Sequence, residues 1–315
     1  MVSVHLGAPP ARGEGTDRRT ARGRALGGRG RRGRFALGSG GVRHPEGRPA
    51  MSTSSQPAAD ERPVTAALIV SGNEILSGRT VDANLPFIAG ELGGIGVRLS
   101  EVRVVRDEEA AIVEAVNALR ARYSYVFTTG GIGPTHDDIT ALSVARAFGR
   151  RLVRNPEAER RLRAYYKDRE IEVNEARLRM ANAPEGAELI DNPVSAAPGF
   201  RVENVYVFAG VPRIMQAMFQ MVKPGLTGGP PQLARAIVVF RPEGEVAAGL
   251  GEIQVRFPEV EIGSYPFMRR ERFGTTIVFR GTDRARIDAA AAALLELARS
   301  LGAETEEDAG VTAGP

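Results

Sequence analysis

Tyr123-Ser124-Tyr125-Val126-Phe127-Thr128, then Gly130-Gly131-Ile132-Gly133-Pro134-Thr135-His136-Asp137-Asp138-Ile139-Thr140, then Ala141-Leu142-Ser143-Val144-Ala145-Arg146-Ala147-Phe148: this stretch decides the fold. It reads as an apolar strand, a glycine-rich turn and a patterned helix. Such a turn presents backbone N–H groups and a helix N-terminus, which suits a phosphate. Asp137 and Asp138 in the same turn would repel a bare phosphate. A divalent cation resolves the conflict, because hard cations take carboxylate and phosphate oxygens together. The turn thus predicts metal-dependent handling of a phosphorylated or nucleotide ligand.

Working outward, strand and helix patterns alternate. Val64 to Ser71 is a continuous apolar run, expected of a parallel strand covered on both faces. Asn84 to Gly94 is helical, Val97 to Val105 a strand, Glu108 to Arg122 a helix and Tyr125 to Thr129 the strand before the turn. This order predicts a doubly wound, three-layer α/β domain with a mostly parallel sheet. Helices are expected at 157–167 and 174–180, then Glu188-Leu189-Ile190, a Pro-rich loop to Gly199, a strand over 205–208 and a helix over 211–222. The run Pro224-Gly225-Leu226-Thr227-Gly228-Gly229-Pro230-Pro231 marks a boundary. Beyond it, a strand, helix, two strands and a helix predict a small α+β (βαββα) module. The expected organisation is an Arg/Gly-rich extension over 1–63, the α/β domain over 64–228, the module over 229–303 and a disordered tail over 304–315.

Charge is unevenly placed. Residues 1–50 hold 11 Arg, no Lys and 3 acidic residues, leaving 31 basic and 35 acidic groups in the rest. The body is therefore mildly acidic, and nucleic-acid binding by it is not expected. An Arg-Gly arm could still bind RNA or DNA nonspecifically, but Phe35 is its sole aromatic residue. Met51-Ser52-Thr53 reads as an initiation site, which would make the arm an over-extended start. The chain has no cysteine, hence no disulfide and no thiolate chemistry. No apolar run of about 18 residues predicts a membrane span. A cytoplasmic protein is expected.

Each candidate residue has a plain reading beside the functional one. Glu74 follows the first strand, where open α/β sheets place ligands; a lone Glu there is also an ordinary solvated loop residue. Asp137 and Asp138 are candidate ligands, yet Asp is also a favoured helix cap. One helix start needs only one cap, so the pair exceeds that role. His136 is a candidate base or metal ligand, or simply a turn residue.

Gly72-Asn73-Glu74-Ile75-Leu76-Ser77-Gly78, followed by Asp82 and Asn84, together with the 130–140 run, resembles the molybdopterin-binding (MoaB/Mog-like) domain family. The branch it is most similar to is the N-terminal domain of competence/damage-inducible protein A (CinA), itself similar to the N-terminal domain of eukaryotic FAD synthase. Asn192-Pro193, Ala197-Pro198-Gly199-Phe200 and Phe208-Ala209-Gly210-Val211-Pro212 extend the match. The resemblance implies a pterin or adenine (di)nucleotide ligand and a divalent metal (Mg, Mn or Co). It also implies a homo-oligomer, dimer or trimer. Carried over by position, Gly130, Gly131 and Gly133 cradle phosphate, with Gly72, Asn84, Thr135 and Gly210 completing the ligand-binding set. Asp137, Asp138 and Glu74 hold the metal, and Asp138, Asp137 and His136 carry catalysis. Asn73 stands where the family has an acidic or hydroxyl residue. Ala209-Gly210-Val211-Pro212 replaces a Pro-Gly-Pro-Pro run. No room remains for the deamidase domain that CinA proteins often carry.

The function expected is cleavage of the pyrophosphate of an adenine dinucleotide such as ADP-ribose or FAD. The alternatives are a molybdopterin adenylyltransferase, a noncatalytic nucleotide- or pterin-binding regulator, and a nucleic-acid binder acting through the arm.

Overall fold

The computed structural model describes residues 63–269 and 272–308, and the Arg/Gly-rich extension with Met51 lies outside them. The sheet grows from β1 (Thr65–Ser71), in which Ala66 to Val70 are all buried. A single helical turn, α1 (Asn73–Leu76), and the longer α2 (Asn84–Gly94) lead to the parallel neighbour β2 (Arg98–Val105). The chain then returns through α3 (Glu109–Arg120) to β3 (Tyr125–Thr129), parallel to β1 on its other side. Next come α4 (Thr140–Ala147), β4 (Leu152–Arg154), α5 (Pro156–Lys167), α6 (Glu175–Leu178) and β5 (Asn182–Pro184). The domain closes with β6 (Glu188–Ile190), β7 (Gly199–Val202), β8 (Val205–Phe208) and α7 (Pro212–Val222). The sheet order is β2-β1-β3-β8-β7-β6, with β8 parallel to β3 and the last two strands antiparallel. A doubly wound, mostly parallel α/β sheet is what the alternation predicts.

Period-two alternation sorts the side chains onto two faces. Leu68, Phe127 and Phe208 meet α2 and α7 through Ile88, Leu92 and Phe219. Ala67, Ile69, Val126 and Val207 meet α3 and α4 through Ile112, Val116 and Val144. Phe127 anchors the first face, stacked on Phe208 at 6.0 Å and tilted against Phe219 at 5.7 Å. Burial of each such ring is worth about 1.5–3 kcal/mol. α5 starts where Asn155 accepts the backbone N–H groups of Glu157 and Ala158, with Pro156 in the first turn.

The second sheet runs β10-β11-β9-β12, all antiparallel. Its elements are β9 (Leu233–Val239), α8 (Glu243–Arg256), β10 (Glu261–Arg269), β11 (Arg272–Gly281), α9 (Arg284–Ser300) and β12 (Thr305–Glu307). Both helices pack on one face through Val246, Leu250, Ile253, Ile287 and Leu294.

Two local expectations are corrected. Residues 305–307 are not disordered: they pair with β9, and Glu307 meets Arg235. The pairing satisfies backbone groups at a sheet edge, which an acidic composition does not advertise; 309–315 lie outside the described residues. The expected helix over 174–180 is α6 followed by a 3-10 turn over Arg179–Ala181. The Pro-rich loop ends at Gly199 as expected, and there β7 begins and forms a hairpin with β8.

Candidate functional site

Winding of the sheet reverses between β1 and β3, because α2 leads out on one side and α3 returns on the other. Ligands of open α/β sheets bind at such points, beyond the carboxyl ends of the strands. Here that edge gathers Ser71 after β1, Asp107 after β2, Gly130 after β3 and Gly210 after β8. A cavity of about 520 Å³ opens there, lined by Gly72, Glu74, Asp107, the turn from Gly130 to Thr135, Asp137, Asp138 and Gly210. Small-molecule sites occupy about 300–1,000 Å³, so the size suits a nucleotide or pterin.

The turn is pressed between neighbours. Gly130 has φ +98°, and a Cβ there would lie 2.2 Å from the Ser71 carbonyl oxygen. Gly131 has φ +68°, and its Cβ would lie 2.1 Å from Thr140 Oγ1. Any side chain would push the turn off the ends of β1 and α4. The glycines differ in what they offer: Gly130 donates its N–H to the Phe208 carbonyl at 3.2 Å and so belongs to the sheet. The N–H groups of Gly131, Ile132 and Gly133 make no hydrogen bond among the described residues. Those three are the donors left for an anion.

Asp137 and Asp138 do not cap α4, whose first turn receives no side-chain hydrogen bond. Asp138 instead closes its own turn, accepting the Thr135 N–H at 2.8 Å and the Thr135 hydroxyl at 2.5 Å, both on Oδ2. Thr135 therefore organises the turn. Asp137 is exposed, and its carboxyl is held below the ordinary carboxylate range, first by the Thr135 hydroxyl and then by its own backbone N–H. A hydroxyl has one proton, and the 2.5 Å contact gives it to Asp138.

Glu74 stands in the single turn of α1, and its carboxylate makes no hydrogen bond among the described residues. It bends back over Gly72, where an added Cβ would lie 2.7 Å from Glu74 Oε1. Asp107 is fixed, accepting the Ser71 hydroxyl at 2.8 Å and the Asn73 N–H at 2.9 Å. Asn84 lies behind the cavity, 4% exposed, and donates Nδ2–H to the Gly210 carbonyl at 2.8 Å. Gly210 in turn backs onto Gly130. The Asn84 side-chain oxygen Oδ1 is buried without a partner among the described residues, and Asn84 lines a recess of about 90 Å³ that Glu74 also lines. His136 is placed apart: its ring is 94% exposed, 3.9 Å from Asp137, and lines a different cavity.

Glu74, Asp137 and Asp138 thus share one cavity, with Asp107 beside them and, among the described residues, no Lys, Arg or His in its lining. They do not form a closed metal cage; among the described residues no three Asp, Glu, His or Cys side chains gather around one point. The cause is local, since Asp138 turns one oxygen back to Thr135 while Glu74 folds over Gly72. The donor set is all oxygen, the chemistry of a hard cation such as Mg²⁺. One or two of these carboxylates could hold such an ion together with phosphate oxygens.

Sequence reading did not single out Asp107, although its position just past β2 is the same strand-end signal that marks Glu74. Met180 and Ser195 also line the cavity without a sequence signal. Asn192, 7% exposed, organises its loop through Ser195 and the Ala197 carbonyl.

Among the described residues no helix is long and apolar enough to cross a membrane. The family model described as "Probable molybdopterin binding domain" matches residues 67–228, and "FAD synthase, middle domain" matches 231–305. The chain is 39% identical to a protein of Pyrobaculum calidifontis over 211 residues, 64% of this chain and 80% of the relative. To a protein of Archaeoglobus fulgidus it is 34% identical over 231 residues, 73% of this chain and 96% of that one. A CinA-like protein of Desulfosudis oleivorans is 37% identical over 219 residues, 62% of this chain and 53% of the relative. The crystal structure of the protein CinA from Thermoplasma acidophilum superposes with a TM-score of 0.48 at 32% identity, covering 52% of this chain and 98% of that one.

Proposed function

The chain belongs to the molybdopterin binding domain family, in its MoaB/Mog-like, CinA-like branch, and from that premise we propose that it hydrolyses the pyrophosphate of an adenine dinucleotide such as ADP-ribose or FAD. One observation carries the reading. Gly131, Ile132 and Gly133, whose backbone N–H groups have no partner among the described residues, line a cavity whose only charged side chains among those residues are the carboxylates of Glu74, Asp107, Asp137 and Asp138. Donors aimed at an anion and a wall of negative charge coexist only when the ligand brings compensating positive charge. A phosphate chelating a divalent ion does so.

Gly131, Ile132 and Gly133 bind phosphate oxygens and meet the charge that develops on them during cleavage. Asp138 and Asp137 would hold a divalent ion at the phosphates. Glu74, with its free carboxylate, would take either a share of that ion or the proton of the attacking water. His136 lies outside the cavity and serves neither purpose in this reading. A bound divalent ion would supply Lewis-acid stabilisation of phosphate and a more acidic water.

The test is release of AMP from ADP-ribose or FAD by purified protein with Mg²⁺, Mn²⁺ or Co²⁺. Turnover that persists in Asp138→Ala removes the assigned role. Transfer of AMP from ATP to a pterin would favour adenylyl transfer in the same cavity. Saturable binding without turnover would favour a regulator.

A further inference from the structure

The turn that binds phosphate has a back. Behind it lies a second cavity of about 330 Å³. Ile132, Gly133, Asp138 and Met180 line both cavities, so the turn is a ridge between two adjoining basins. The first carries four carboxylates and no cationic side chain among the described residues. The second shares Asp138 with it and adds His136, Asn182 and Arg179 around an apolar floor that includes Leu142, Leu152 and Phe200.

Arg179 is the unusual member. Its guanidinium donates to the Thr135 carbonyl at 3.3 Å and forms no ion pair among the described residues. Asp137 and Asp138 lie only a few residues from that carbonyl, yet neither pairs with it. An exposed cation is thus held against the phosphate turn, on the side away from Glu74 and Asp107, with most of its donors free. Arginine's planar fork matches phosphate oxygens. An apolar floor beside it suits a flat ring, and the volume is near the lower end of about 300–1,000 Å³ for small-molecule sites.

Resting on the nucleotide reading above, we propose that this second basin is the subsite for the other half of a two-headed ligand. Its ring lies on the apolar floor, Arg179 meets the nearer phosphate, and the pyrophosphate crosses the ridge. A mononucleotide fills only the acidic basin; a dinucleotide fills both. The chain therefore selects dinucleotides over AMP by what lies behind the turn.

Calorimetric titration of the full chain in Mg²⁺ tests this, using AMP and the uncleavable α,β-methylene analogue of ADP-ribose. In Arg179→Ala and in Leu142→Trp, which fills the floor, the Kd of the analogue should rise about tenfold or more. The Kd of AMP should stay within about twofold of wild type in the same variants. Equal weakening of both ligands, or no weakening of either, overturns the second subsite. Arg179 is exposed, so its variant decides the matter if the tryptophan one melts early. Wild-type protein that binds neither ligand sinks the nucleotide reading and the subsite with it. Selective weakening with no hydrolysis of authentic ADP-ribose sinks only the hydrolase reading and leaves the subsite standing.

Discussion

Asp138 has two duties that a single substitution can separate. Its carboxylate closes the turn on Thr135, and it faces the cavity with Asp137. Asp138→Asn keeps an acceptor oxygen for Thr135 but removes the charge. It should leave the melting temperature close to wild type while AMP release falls at least about a hundredfold, the scale of losing a preorganised electrostatic group. Asp138→Ala should lose activity as well and cost about 1–2 kcal/mol, because the Thr135 N–H and hydroxyl lose a charged acceptor. Paired denaturation and turnover measurements distinguish the two; equal destabilisation by both would mean that charge, and not the acceptor, holds the turn. Gly130→Ala should cost about 2–4 kcal/mol, from left-handed backbone strain plus the collision with the Ser71 carbonyl. A urea melt that shows no loss would mean that the ends of β1 and β3 separate freely.

Among the elements, α2 and α7 are joined by a pair that most of the surface does not resemble. Glu91 is 9% exposed and bonded to Lys223 at 2.7 Å and to Gln220 at 2.9 Å. Lys223 is one of only two lysines in the chain, beside 40 arginines. The Lys223 hydrogen bond holds the Glu91 carboxyl below its ordinary value of 4.5, outweighing burial, which pushes the other way. The stabilisation is thus complete above that value and disappears as pH falls beneath it. Lys223→Met leaves a nearly buried carboxylate poorly compensated and should lower stability at pH 7 by about 1–3 kcal/mol. The deficit should shrink in melts taken progressively below pH 4.5; a deficit independent of pH would mean that Lys223 acts through packing alone. Glu157 in the first turn of α5, held to about 2 by Arg160 and Arg161, follows the same sign but keeps 42% of its side chain exposed and is screened by solvent. Glu157→Gln should therefore lower melting only slightly, with the difference fullest above about pH 4.5 and fading as pH falls towards 2.

For the whole molecule, the run 224–231 is less free than its Gly and Pro content suggests. Thr227 donates its N–H to the Tyr125 hydroxyl at 2.9 Å, and that hydroxyl donates to the Thr227 carbonyl at 3.1 Å. Gly229 and Gln232 donate to the carbonyls of Gly96 and Gly93 at the end of α2. The segment between the two sheets is tied down by backbone bonds, and the Tyr125 hydroxyl is its polar clasp. Tyr125→Phe should speed proteolytic nicking within 224–231 several-fold without altering the Kd for AMP. Unchanged cleavage would show that the Gly93 and Gly96 bonds hold the segment by themselves.

Periodicity is a local property, and it was enough for the doubly wound sheet, the βαββα module and the strand-to-helix turn, because alternation and glycine placement are dictated by neighbours along the chain. Glu74 and the 130–138 turn could be assigned to one crevice for the same reason: each follows a strand end, and strand ends in a parallel sheet share an edge. What each side chain does there depended on atoms distant in sequence. Asp138 turns to Thr135, Gly130 gives its N–H to Phe208, and Asn84 withdraws beneath Gly210, because steric crowding and the demand to satisfy buried polar groups are settled only in three dimensions. Arg179 joined the site through folding alone, and β12 owes its existence to an open edge of β9 that no residue within 305–307 announces.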